Sequence, residues 1–205
     1  VQIATAENLD EKGETTSSIA KRNGAVAAIN AGGFYDANGT GTGRSPYGFI
    51  IHDGKFILGQ NVADGEVNEF VGLTDDGNLI AGNYSKGELI SMDVKEGISF
   101  GPALIVNGER MITSGDGGWG VGPRTAIGQK KDGTVLFLVI DGRQPSYSIG
   151  ATLRDVQNIL YEEGAYIAAN LDGGSSSTLY MNGNVVNKPA DLLGERMIPT
   201  AFIVK

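Results

Sequence analysis

Asx-Gly turn signals recur along the chain, among them Asp53-Gly54, Asp76-Gly77, Asn107-Gly108, Asp132-Gly133 and Asn182-Gly183, each with apolar or alternating residues on both sides. Asp or Asn followed by Gly is the pair that best tolerates positive φ at both centres of a two-residue loop, so these signals commit the chain to antiparallel hairpins. Residues 49–58 and 179–186 read as two such hairpins. Glycine supplies 32 of 205 residues, about twice ordinary usage, without a collagen-like period or a linker to absorb it. Residues 134–140 are apolar on both faces and predict a buried central strand.

Two helices stand out against this background. One covers residues 16–22, ahead of a strand at 25–29. The second opens with Thr152 as N-cap and Asp155 three residues on, a capping box. Its apolar residues Leu153, Val156, Ile159 and Leu160 share one face, and Gly164 is placed to end it. Many strands with two or three helices and no regular βαβ alternation make the fold class α+β. The expectation is a single domain over residues 1–205, built on a mostly antiparallel or mixed twisted β-sheet.

Composition narrows the function. A net charge of −8 argues against nucleic acid or an anionic membrane as partner, because both demand basic patches. Cysteine is absent, which removes disulfides, thiolate metal sites and a cysteine nucleophile. No apolar run reaches the length of a membrane span. Val1-Gln2-Ile3-Ala4 reads as mid-strand with no signal peptide before it, so a targeting or upstream segment is expected to lie outside this sequence. Oligomeric state is not legible.

Polar chemistry gathers at strand ends. Asn170-Leu171-Asp172-Gly173-Gly174-Ser175-Ser176-Ser177-Thr178 packs a carboxylate, paired glycines and four hydroxyls behind the strand at 165–169. Paired glycines let backbone N–H groups approach a ligand, though the same residues also make an ordinary polar turn. Four more clusters sit similarly: Asn30-Ala31-Gly32-Gly33-Phe34-Tyr35-Asp36; Gly122-Pro123-Arg124-Thr125-Ala126-Ile127-Gly128; Asp141-Gly142-Arg143-Gln144; and Glu195-Arg196. Each alone has a plain structural reading as turn, surface residue or solvated pair. Together they are what a rigid scaffold presents at a site. Arginine forks suit phosphate or carboxylate, so the set points to an anionic, oxygen-rich substrate.

The combination of Asn30-x-Gly-Gly-Phe, Pro123-Arg124-Thr125-Ala126-Ile127-Gly128, Asp141-Gly142-Arg143, Asn170-Leu171-Asp172-Gly173-Gly174-Ser175-Ser176 and Glu195-Arg196 resembles the phosphodiester glycosidase family, from about Ala4 to Lys205. The resemblance implies a third glycine where this chain has Ser175, a first departure. The glycine-rich stretch 114–122, with the sole tryptophan Trp119, is a second departure. The resemblance implies hydrolysis of a sugar-1-phosphodiester, such as one of N-acetylglucosamine, at the bond between anomeric carbon and oxygen. It also implies an extracellular or cell-envelope location and a sugar-phosphate or glycan partner. Asp172 is then the leading candidate for nucleophile or general base, with Glu195 and Asp141 as alternatives. Arg124, Arg143 and Arg196 are candidates to hold phosphate. Asn30, Thr125, Ser175 and Ser176 are candidates for substrate binding, as are Gly32, Gly33, Gly173 and Gly174 through their N–H groups.

Two other classes stay open: an envelope module that binds glycan phosphate without cleaving it, and a metal-dependent phosphodiesterase cutting P–O. The ligand inventory is thin. His52 is the single histidine and reads as a strand surface residue. No metal or cofactor is expected, with calcium or magnesium on Asp172, Asp141 and backbone carbonyls as the alternative.

Overall fold

The computed structural model describes residues 1–9, 11–36 and 41–205. Its strands form three five-stranded sheets. The first has the order β1 (Gln2–Thr5), β15 (Thr200–Val204), β2 (Ala27–Asn30), β13 (Leu179–Met181), β14 (Asn184–Val185). The second runs β11 (Val135–Ile140), β10 (Arg124–Lys130), β12 (Ala165–Asn170), β8 (Ala103–Val106), β9 (Glu109–Arg110). The third runs β4 (Lys55–Leu58), β3 (Ile50–His52), β7 (Val94–Ile98), β5 (Val67–Thr74), β6 (Leu79–Ser85). Every ladder between them is antiparallel. With three helices among the described residues, the class is α+β.

One core joins the sheets. Ile3, Ile29 and Phe202 from the first meet Ile50, Val71 and Ile98 from the third, and Ile127 and Ala169 from the second. Each helix closes an outer face. The helix α1 (Thr16–Arg22) sets Ile19 and Ala20 against Ala28, Ala201 and Ile203. The helix α2 (Lys86–Ser91), capped by a Ser85–Glu88 box, buries Leu89 beside Phe49, Phe70 and Val94. The helix α3 (Leu153–Glu162) carries the expected Thr152–Asp155 box and buries Leu153, Val156 and Leu160 on the second sheet. Ile159 of that face stays partly exposed, and Gln157 is buried instead, its amide bonded to both the N–H (2.7 Å) and the C=O (3.1 Å) of Ile112.

The hairpin turns follow the sequence. Asp53, Asn107 and Asn182 all have φ near +50°, each followed by a positive-φ glycine. The strand at 135–140 differs from expectation: β11 is an edge strand, half-buried along its whole length, and the buried strand beside it is β10. Its two apolar faces have separate causes. Val135, Phe137 and Val139 face the central core, whereas Leu136, Leu138 and Ile140 face the α3 layer. Burial on both faces makes a strand apolar throughout without making it central.

Candidate active site

Asp172 lies where the chain changes sheets. The second sheet ends its strand at Asn170 and the first resumes at Leu179, so residues 171–178 cross between them. Backbone bonds pin the crossing: Leu171 N–H donates to Thr125 O (2.9 Å), Asp172 N–H to Ala31 O (2.9 Å) and Gly174 N–H to Pro123 O (2.9 Å). Close approach to Pro123 demands glycine at 173, where a Cβ would stand 2.9 Å from the Pro123 oxygen. Gly174 has φ +61° and opens a 3-10 turn, Gly174–Ser176. Ser175 sits inside that turn without positive φ, so a serine fits there without backbone strain.

Asn30 is the hub beneath this loop. It is fully buried; its Oδ1 accepts from Thr125 Oγ1 (2.8 Å) and Thr178 N–H (3.1 Å), and its Nδ2 donates to Asp172 O (2.5 Å). The candidate binding residues Asn30 and Thr125 therefore bond to each other and to the loop. Among the candidate glycines, Gly32 spends its N–H on Thr200 Oγ1 (2.9 Å) and Gly174 spends its own on Pro123. Gly173 N–H and the Ser176 hydroxyl are directed at the Asp172 carboxylate.

The Asp172 carboxylate is the singular group. Its Oδ2 is buried with no hydrogen-bond partner. Burial raises its pKa from 3.8 to about 6. Ser176, Arg196 and Gly173 pull the value down, and Asp36 pushes it up. An unpaired buried carboxylate is costly, and groups held in that condition cluster at sites of chemistry.

Three arginines surround the loop in different states. Arg143 is exposed, at φ +57°, and its guanidinium lies over the glycine turn: a Cβ on Gly174 would stand 3.2 Å from both Nη1 and Nη2. It has no hydrogen-bond or salt-bridge partner among the described residues. Left-handed backbone at a non-glycine residue costs energy and is often found at functional positions. Arg196 pairs with Asp36, lies over the Phe34 ring at 5.5 Å, and keeps its buried Nε without a partner. Arg124 is buried and spent on backbone, donating to Ala151 O (3.0 Å), Trp119 O (3.1 Å) and Gly120 O (2.5 Å). Burial, then the nearby Arg143 charge, lower the Arg124 pKa. Arg124 thus shapes the 119–120 segment and adds positive field, while Arg143 offers the open fork.

The two alternative acids are otherwise engaged. Asp141 accepts from Asn187 Nδ2 (2.9 Å) and from Lys188 N–H at both oxygens (3.1 and 3.0 Å). A hydrogen bond to Asp141 also raises the Tyr147 pKa. Glu195 sits at the start of α1, accepting from Ser17 N–H (2.9 Å) and from the Ser17 hydroxyl. Each carboxylate ties loops together. His52 lies on β3, partly exposed, with Nδ1 3.0 Å from Glu96 Oε2.

The structure adds residues that sequence reasoning left out of the site. Asp36 positions Arg196, and Tyr47 lies within reach of both the Asp172 and the Glu69 charge, which after burial push its pKa up to about 12. Asp36 was visible as the acid closing the Asn30 cluster. Asn68-Glu69 was visible as a polar pair at the head of the apolar run Phe70-Val71. A cavity of 520 Å³ between the second and third sheets has no acidic residue in its lining. Among the described residues no group of three His, Cys, Asp or Glu side chains is placed to hold a metal ion, and no helix is long and apolar enough to cross a membrane.

Known proteins share this chain's sequence and fold. A Bacillus subtilis SPbeta prophage-derived uncharacterized protein, YomE, is 32% identical over 197 residues, covering 93% of this chain and 29% of YomE. The Bos taurus N-acetylglucosamine-1-phosphodiester alpha-N-acetylglucosaminidase is 26% identical over 203 residues, covering 89% of this chain and 36% of that protein. The chain thus spans about a third of the length of these curated relatives. The zebrafish enzyme of the same name, its catalytic domain auto-inhibited by a pro-peptide, superposes with TM-score 0.80 at 24% identity, over 99% of this chain and 72% of that one. A hypothetical protein from Synechocystis shares the fold at TM-score 0.69 and 18% identity, over 98% of this chain and 55% of that one. Residues 23–205 match the phosphodiester glycosidase family, and the chain belongs to it.

Proposed function

We propose that the chain is a hydrolase cleaving the glycosidic C–O bond of a sugar-1-phosphodiester, releasing free sugar and a phosphomonoester, with Asp172 as the working carboxylate. The observation that carries this is the buried, partnerless Asp172 Oδ2 beside the glycine turn that Arg143 overhangs. The substrate class comes from the named activity of the bovine and zebrafish relatives.

The chemistry follows from the charges. Breaking the bond between the anomeric carbon and the phosphate oxygen leaves the electron pair on phosphate and positive charge on the sugar ring. Asp172 faces that carbon, attacking it or activating the water that does. The water oxygen ends on the sugar and its proton goes to solvent. Ordinary glycosidases pair two carboxyl groups because an alcohol leaving group must be protonated. A phosphomonoester departs as an anion, so charge neutralisation by Arg143 and Arg196 replaces the acid. Asn30, Thr125, Asp141 and Glu195 act by fixing the loops.

Two outcomes check these roles. Arg143→Ala is expected to lower kcat/KM by about 10²-fold or more, as for loss of a charge-stabilising donor. Its thermal melt should match wild type, since the guanidinium has no hydrogen-bond or ion-pair partner among the described residues. Asp141→Asn and Glu195→Gln are expected to do the reverse. Each should cost about 1 kcal/mol of stability while sugar release stays within about tenfold of wild type. The reading itself is tested by incubating the protein with the methyl phosphodiester of N-acetylglucosamine, with and without chelator. Free sugar and methyl phosphate in both arms support it. N-acetylglucosamine-1-phosphate and methanol, or loss of turnover on chelation, would replace it with a phosphodiesterase.

A further inference from the structure

A concavity opens at Tyr47, which packs against Gly33 of the loop that follows β2. Tyr47, Asn68, Glu69, Ser99, Phe100 and Trp119 line a cleft of 290 Å³. That volume is at the bottom of the small-molecule range of about 300–1,000 Å³, room for one sugar ring. Tyr47 joins it to the catalytic loop, because its hydroxyl feels both the Asp172 and the Glu69 charge. Gly33 permits the junction: a Cβ there would stand 2.7 Å from Phe100 Cε2 and overlap the Tyr47 hydroxyl.

The lining has the chemistry of carbohydrate recognition. Tyr47 stacks on Phe100 (6.4 Å between centroids, 26° between planes), and Trp119 meets Phe100 edge-on (6.0 Å, 70°). Trp119 and Tyr47 are each 50% exposed, leaving ring surface for the C–H face of a sugar. Trp119 is held from behind by Arg124, bonded to its carbonyl. Asn68 Nδ2 is buried without an acceptor, a donor waiting for one. Glu69 is exposed beside Gly101, has no ion-pair partner among the described residues, and accepts only from donors. The lining of the cleft therefore carries a carboxylate and no lysine or arginine.

We propose that this cleft is the sugar subsite, in which Glu69 and Asn68 read an uncharged hexopyranose by its hydroxyl and amide groups and Glu69 rejects sugars bearing a carboxylate, such as uronic acids. The proposal rests on the phosphodiester glycosidase reading. In it Glu69 accepts from two sugar donors, Asn68 Nδ2 donates to a sugar oxygen, and Trp119 covers an apolar ring face. A uronate would set its charge against Glu69, a like-charge contact that suppresses wrong ligands.

The test uses wild type, Glu69→Gln and Asn68→Ala on the methyl phosphodiesters of N-acetylglucosamine, glucose and glucuronic acid. Trp119 is the sole tryptophan, so its fluorescence reports binding of N-acetylglucosamine-1-phosphate and glucuronic acid-1-phosphate without any need for turnover. Wild type is expected to favour the neutral sugars over the uronate by about 10²-fold or more in kcat/KM. Glu69→Gln should shrink that ratio by about tenfold, and Asn68→Ala should raise KM for the neutral sugars with kcat little changed. Unchanged discrimination in Glu69→Gln, with unchanged KM in Asn68→Ala, would overturn the subsite. Absent turnover with Trp119-reported binding that still prefers the neutral sugar phosphate through Glu69 would remove the activity and keep the subsite. Absent turnover with no Glu69-dependent preference would remove both.

Discussion

Asp172→Asn is expected to lower sugar release by about 10³-fold or more, the scale of losing a group that acts on the reacting atom. The substitution keeps the shape and the backbone bonds that position the loop, Asp172 N–H to Ala31 O and Asn30 Nδ2 to Asp172 O. It removes only the charge. Two further consequences separate this from a general loss of fold. The wild-type kcat/KM should rise with pH through about 6, where burial has moved the Asp172 pKa, because the ionised form does the work. The inflection should vanish in the variant.

Stability should move the other way. Asp172 has a folded pKa raised above its ordinary value, so folding favours the protonated form. The penalty for an ionised carboxylate is absent below about pH 4 and grows as pH rises toward about 6, then stays. Asp172→Asn should therefore match wild type at pH 4 and exceed it at pH 8 by up to about 3 kcal/mol, the free-energy equivalent of the whole shift. Chemical denaturation at the two pH values reads this directly. Gain of stability with loss of activity is the pattern of a site kept under electrostatic strain.

Asn30→Ala should be the most damaging change to the fold. Asn30 is fully buried and satisfies three groups from three segments: Thr125 on β10, Thr178 before β13 and the Asp172 carbonyl. Alanine leaves a buried hydroxyl, N–H and carbonyl without partners and opens a void. Unsatisfied groups at about 1–3 kcal/mol each, partly relieved by relaxation, put the loss near 3–5 kcal/mol. For a chain of this size that lowers Tm by about 10 °C or more. Activity should fall as well, since the bond that aims Asp172 is gone. A thermal melt with kinetics below the transition distinguishes it from Asp172→Asn, which loses activity alone.

The hairpins were legible because Asp53, Asn107 and Asn182 need φ near +50° and each precedes a glycine, a local requirement that sequence states openly. The α3 box was legible for the same reason, Thr152 and Asp155 being three residues apart. The helix α2 escaped notice, since six residues give no apolar period. The edge position of β11 was hidden because two cores, one on each face, produce the composition of a central strand.

The site was half legible. Asp172, Arg143 and Arg196 stand on motifs and come together in space. Asp141 and Glu195 share the same sequence signature, an acid beside an arginine at a strand end, yet their oxygens are taken by Lys188 and Ser17 backbone. Only tertiary structure says which carboxylate is left unpaired. Asn68 and Glu69 were illegible for a related reason. They stand on β5 and meet Tyr47, which precedes β3, only in the folded chain, and nothing local in β5 records it.

The most direct measurement is the fate of solvent oxygen. The methyl phosphodiester of N-acetylglucosamine is hydrolysed by wild-type protein in H₂¹⁸O, and the released methyl phosphate is weighed by mass spectrometry. Cleavage at the anomeric carbon predicts methyl phosphate free of ¹⁸O, formed by wild type and not by Asp172→Asn. Methyl phosphate carrying one ¹⁸O would mean attack at phosphorus, and would contradict the action of Asp172 at the anomeric carbon.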